Sequence, residues 1–196
     1  RSRRLVGLLV DRNWGLAAWQ PAWLLVVPAL GALARRRPPW WPAVVAPLAA
    51  GWAVATWTAL TMHGFWWSGR QTVVVLPMAV LLVAWWAGRS WLALGVAAGA
   101  TTRWWQVVDG LTHRITWVVP VPPTGAPIPR LLAPLLPDLR TPDAGDEARL
   151  AAWCVAAVGL LALGWVLAAG GEDAGAGEGA DADRAILDLH GDRAVG

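Results

Sequence analysis

The sequence predicts an all-α fold, a polytopic transmembrane helix bundle of about five spans, and three observations predict it. Hydrophobic residues fill 57% of the 196 positions, charged residues only 15%, and mean hydropathy is +0.46, an apolar excess over ordinary soluble domains. Apolar runs close to the roughly 20 residues that a bilayer-crossing helix needs recur along the chain. Tryptophans gather at the ends of those runs, the depth at which an amphipathic ring sits among headgroups.

The chain opens with RSRR and a short apolar run over 5–10, too brief for a span and without a small-residue cleavage site. With no initiating methionine, residues 1–15 read as an outer-face segment cut from a loop of a longer protein. The first span is expected over 16–34, where Gln20, Pro21 and Pro28 invite a kink, and Arg35, Arg36 and Arg37 with Pro38 and Pro39 stop it. A second span follows over 40–60, with tryptophans at both ends. The third, 72–88, is closed by Arg89. The fourth, 91–108, is rich in small residues, and its Gly95 and Gly99 let neighbouring helices approach closely. The brief connection between these two suggests an antiparallel hairpin.

Residues 109–147 form a proline-rich loop, expected to be extracytoplasmic and without regular helix through 118–129, with a short interfacial piece at 131–136. The fifth and clearest span covers 149–170. After it, the Gly-, Ala- and acid-rich stretch 171–196 has no apolar face to bury, so a disordered cytoplasmic tail is expected.

The arginine triplet between the first two spans places that turn in the cytoplasm by the positive-inside rule, and the Arg70 turn then faces outward. Against this orientation, Arg12, Arg70, Arg114, Arg130, Arg140 and Arg149 all fall on the outer side. The location implied is a bacterial plasma membrane, crossed several times, with membrane lipid as the constant partner. All 16 basic residues are arginine, tyrosine is absent and tryptophan numbers 17, the mark of a GC-rich genome. A net charge of +3 carried by scattered arginines gives no nucleic-acid footprint. Cys154 stands alone, so no intrachain disulfide or cysteine metal cluster exists. Without a phosphate-binding glycine loop, an HExxH or a nucleophile elbow, no metal or cofactor is expected.

The stretch 63–77, HGFWWSGRQTVVVLP, carries the principal candidate site. Arg70, beside Trp66, Trp67 and His63 and ahead of an apolar helix, suits a lipid phosphate held at headgroup depth, because guanidinium forks onto phosphate oxygens. The alternative is an interfacial anchor, since snorkelling arginines flanked by tryptophan are common at span ends. Arg103 is a second candidate, read first as a snorkelling residue. Asp109 and His113 are four apart, a carboxylate–imidazole pair if the helix continues, although Gly110 between them favours a helix end.

Two segments resemble bacterial multispan glycosyltransferases of the GT-C type: 10–31, VDRNWGLAAWQPAWLLVVPALG, and 70–77, RQTVVVLP. The resemblance implies transfer of a sugar from a polyprenol phosphate carrier at the outer face, with Arg70 as a phosphate contact. The acidic residue that such proteins carry in their first outer loop would lie upstream of Arg1, so no catalytic residue is implied here. Three readings stand: the C-terminal membrane portion of a lipid-linked glycosyltransferase, a non-enzymatic membrane scaffold or assembly partner, and a permease half. The last would call for paired broken helices or an internal repeat.

Overall fold

The computed structural model describes residues 3–13, 15–58, 70–114, 125–139 and 141–191, with Arg4, Thr58, Arg70, Gln71, Thr72 and 170–191 defined by their backbone. The fold is all-helical, 81% helix with no strand among the described residues. In chain order come α1 (Arg4–Val10), α2 (Leu16–Trp19), a 3-10 segment (Pro21–Leu25), α3 (Val26–Arg36), α4 (Trp41–Ala53) and a π-helical turn (Val54–Thr58). A second 3-10 segment (Arg70–Val75), α5 (Leu76–Trp86), α6 (Arg89–Leu111), α7 (Pro127–Leu132) and α8 (Ala144–Gly191) complete it.

Helices form where the five apolar runs lie, but among the described residues only Ala144–Ala169 of α8 is long and apolar enough to cross a membrane, with mean hydropathy 2.2. The other runs are interrupted for identifiable reasons. Gln20 leaves the helical region at φ −142°, ψ 74°, and Pro21 then opens a tighter 3-10 turn, which breaks the first run in two. The second passes from α4 into the π-helical turn, and the third begins as a 3-10 segment before α5. α6 is unbroken over its 23 residues, yet its arginines, threonines and Asp109 dilute its apolar character.

α3 and α8 form the main packing pair. Their beginnings meet where Trp19, just ahead of the 3-10 segment, shares a cluster with Val10, Leu136, Leu150 and Trp153. At the far end Arg35 lies over the Trp165 ring at 5.5 Å, and Arg36 donates to the Ala168 carbonyl at 3.3 Å. The two helices therefore run parallel. At the crossing, a Cβ on Gly31 would collide with the Leu161 carbonyl oxygen, and one on Gly164 with that of Pro28. This is the small-residue contact that lets two backbones touch. On the other side of α3, Val26, Ala29 and Leu33 pack with Val44 and Leu48 of α4 and Ala79, Leu82 and Val83 of α5.

The described residues correct the hairpin expectation and add to the reading in two other places. α5 and α6 do not pair as a hairpin: α6 packs mainly on Pro21–Leu25 and α7, because Ala87 and Gly88 are both extended and redirect the chain. The proline-rich loop is ordered over 125–139, with Ala126, Pro129, Leu136 and Pro137 buried. Its helix α7 starts at Pro127, because prolines in a first turn lack only N–H groups that would be unbonded there anyway. Helical backbone also runs on to Gly191.

α6 and α8 leave much of their apolar surface open. Only 6% of the apolar window of α8 is buried, with Val155 73% and Val158 66% exposed. On α6 the covered residues Gly95, Gly99, Thr102, Gln106 and Asp109 recur at helical spacing and are small or polar. Leu94, Val96, Trp104 and Val107 face outward. Apolar surface on this scale calls for a non-aqueous neighbour.

If the α3–α8 crossing depends on the absent side chains, Gly31→Ala and Gly164→Ala should each destabilise the protein in detergent by about 1–3 kcal/mol, the cost of overpacking. Gly159→Ala, where the added methyl meets open space on the same helix, should be neutral or slightly stabilising. Thermal unfolding followed by circular dichroism checks both.

Candidate functional site

The candidates named from sequence separate into three places. His63, Trp66 and Trp67 lie outside the described residues. Arg70 begins the 3-10 segment Arg70–Val75, from which Val73, Val74 and Leu76 present apolar surface outward while Val75 packs inward against Gly51. The backbone thus supplies the expected element, a helix start followed by an exposed apolar stripe.

Arg103 is exposed on α6 and donates to Gln106 Oε1 at 3.0 Å, so it is held along its own helix. Asp109 and His113 are not brought together as a pair. α6 ends at Leu111, and His113 takes the left-handed conformation at φ 56°, its N–H donating to the Gly110 carbonyl at 3.1 Å. Arg114 N–H closes the turn on the Asp109 carbonyl at 2.8 Å. The Asp109 side chain is buried and accepts from Gly125 N–H at 2.9 Å, while His113 is exposed. Asp109 thereby ties the end of α6 to the start of the 125–139 segment.

The most developed polar constellation is one that sequence reasoning missed. Asp11, fully buried, accepts from Asn13 N–H at 2.9 Å and from Leu139 N–H at 3.0 Å. Arg12 donates through Nε and an Nη to the Leu136 carbonyl at 3.2 and 3.1 Å, and its own N–H reaches Pro137. Asp146, 2% exposed, accepts from the N–H groups of Asp138 at 3.0 Å and Asp143 at 2.9 Å and from Arg149 at 2.6 Å. Asp143 in return accepts from Asp146 N–H at 2.8 Å. That reciprocal pair is a capping box, the carboxylates three positions apart closing the first turn of α8. The signal was present in the sequence as TPDAGDE ahead of a long apolar run.

The Asp146 carboxyl is held at about 2, below its ordinary 3.8, first by the backbone N–H of Asp143, then that of Asp138, then by Arg149, with burial opposing. A carboxylate so placed stays ionised and accepts hydrogen bonds, and it is a poor proton donor or base near neutrality. The network is a clasp joining the 11–13 turn, the 136–143 segment and the start of α8. No group of three or more metal-ligating side chains occurs among the described residues. Compared with family models, curated proteins and solved structures, the chain matches none.

Because the folded-state value is depressed, the clasp contributes fully above pH 3.8 and is lost as pH falls towards 2. Wild type should therefore unfold at a higher temperature than Asp146→Asn at pH 6. The gap should narrow below pH 3.8 and close by about pH 2. A gap independent of pH in that window would show that the carboxylate charge does not hold the clasp.

Proposed function

We propose that the chain is a multi-pass segment of a bacterial plasma-membrane protein that holds a lipid-linked phosphate at its outer face, as the C-terminal membrane portion of a glycosyltransferase-like protein using a polyprenol phosphate sugar donor. In this arrangement the interrupted runs 16–36, 41–58 and 70–86 cross the bilayer together with α6 and α8. The parallel course of α3 and α8 supports that count, since the first and fifth of five successive crossings run the same way. It also sets the arginine triplet and the end of the long apolar helix on one side, with the clasp on the other.

The observation that carries the binding assignment is the apolar stripe of Val73, Val74, Leu76, Val80 and Leu81, all exposed and all following the helix start at Arg70. A polyprenol phosphate keeps its charge at headgroup depth and its tail in hydrocarbon. A helix start supplies N–H groups and the favourable end of the helix dipole, the guanidinium supplies charge, and the stripe supplies surface for the tail. The buried carboxylates Asp11 and Asp146 are committed to backbone donors and Arg149. On this reading the chain binds and orients the donor and does not itself supply a base.

That same commitment of the carboxylates favours a second reading, a non-enzymatic scaffold or assembly partner whose ordered 125–139 segment meets another protein. The two separate in a binding experiment in nanodiscs. Arg70→Ala should weaken polyprenol phosphate binding about tenfold, close to 1.4 kcal/mol, while Arg130→Ala, an exposed arginine on α7, should leave it unchanged. Equal affinities for wild type and both variants would reject the carrier site and leave the scaffold.

A further inference from the structure

α3 ends in three consecutive arginines, and the structure turns them into a surface. Arg35 and Arg36 lie in the last turn of the helix, where the carbonyl ends favour cations. Arg37 takes the left-handed conformation at φ 42°, its N–H reaching the Leu33 carbonyl at 2.9 Å and its Nε the Ala34 carbonyl at 3.2 Å. This is a capped helix end that Pro38 prevents from continuing. All three side chains are exposed at this end of the helix.

Tryptophans frame them. Arg35 lies over Trp165 at 5.5 Å and Arg36 over Trp85 at 5.9 Å, and Trp40 meets Trp85 edge-on at 5.3 Å and 87°. Stacking on a ring face fixes the plane of a guanidinium while leaving edge N–H groups free to donate. Among the described residues no carboxylate forms an ion pair with any of the three; the ion pairs present belong to Arg3, Arg12 and Arg149. A concentrated positive charge, pre-oriented, ringed by interfacial aromatics and next to the exposed apolar surface of α5 and α8, is complementary to one class of partner.

We infer that Arg35, Arg36 and Arg37, framed by Trp40, Trp85 and Trp165, form a binding site for the phosphate headgroup of an anionic phospholipid in the leaflet opposite the clasp. The inference rests on the multi-pass arrangement proposed above and concerns the other end of the helices from Arg70. The guanidinium edges take the phosphate oxygens, the tryptophan rings sit at glycerol depth, and the acyl chains lie along Val80 and Leu81 of α5, both of which face outward.

The test is native mass spectrometry of the full protein released from nanodiscs of mixed phosphatidylglycerol and phosphatidylcholine, counting retained lipid. Wild type should retain phosphatidylglycerol in preference. The Arg35→Gln, Arg36→Gln, Arg37→Gln triple variant should lower that retention about fivefold or more, with phosphatidylcholine unaffected and the helical circular dichroism kept. The corresponding triple lysine variant keeps the charge but loses the planar fork, and it should fall between the two. Retention by triple lysine equal to wild type would mean that leaflet charge alone attracts the lipid, and the site would be overturned. No effect of the triple glutamine change would also overturn it. Alkaline carbonate extraction separates the two levels. Release of the protein from membranes would reject the multi-pass arrangement itself, whereas a retained protein without lipid preference rejects only this site.

Discussion

The crossing of α3 and α8 is the constraint on which the arrangement depends. Two helices that run parallel with their backbones in contact need a position on each without a side chain, and Gly31 and Gly164 are those positions. Large hydrophobic groups hold α3 to α4 and α5, but where α3 meets α8 the backbones touch and few side-chain atoms lie between them. Close packing and polar fastenings at the ends must supply the difference. Here they do: the Asp146 clasp locks the start of α8 to the 11–13 turn, and Arg36 locks the end of α3 to the Ala168 carbonyl. The crossing between them is fixed in register from both sides.

α6 sorts its residues by face. Its covered face is glycine, threonine, glutamine and aspartate, and its open face is leucine, valine and tryptophan. Thr102 satisfies its hydroxyl on the Ala98 carbonyl one turn back, Gln106 takes a hydrogen bond from Arg103, and Asp109 takes one from Gly125. The polar face is therefore largely self-satisfied, and it can sit against Pro21–Leu25 and α7 without drawing in water. The break at Gln20 is part of this fit, since Gln20 and Ala22 come up against Gly99 and Gly95.

Much of the helix pattern was legible because composition and length dictate it: a long apolar run has few alternatives to a helix, and arginine triplets followed by prolines end one. Gly95 and Gly99 read correctly as packing positions for the same reason, their value being local. The interruptions at Gln20, at the π-helical turn and at Arg70–Val75 were less legible, because a run of valine, alanine and leucine carries no signal for a change of helical pitch. The clasp was missed on different grounds. Asp11 and Asp146 are 135 positions apart in the numbering of the chain, and nothing in either neighbourhood announces the other. Only the capping box at Asp143 and Asp146 was local enough to be read, and reading it would have moved the start of the last helix back to its observed place. Of the principal site, the helix start at Arg70 and the apolar stripe beyond it followed from the sequence, whereas His63, Trp66 and Trp67 lie outside the described residues.

The two ends of the helices differ in how their charges are used, and that difference bears on function more than the count of charges does. At one end the buried acids meet backbone N–H groups and Arg149, each oxygen of Asp146 engaged, so their charge is spent on shape. At the other end Arg35, Arg36 and Arg37 touch ring faces and carbonyl oxygens, contacts that orient a guanidinium, and among the described residues no carboxylate offsets their charge. A fastened anionic network resists change, and an oriented cationic one invites a ligand. In the described part of this chain the acids therefore fasten elements to one another, while the arginines at the far end of α3 present oriented charge at the surface.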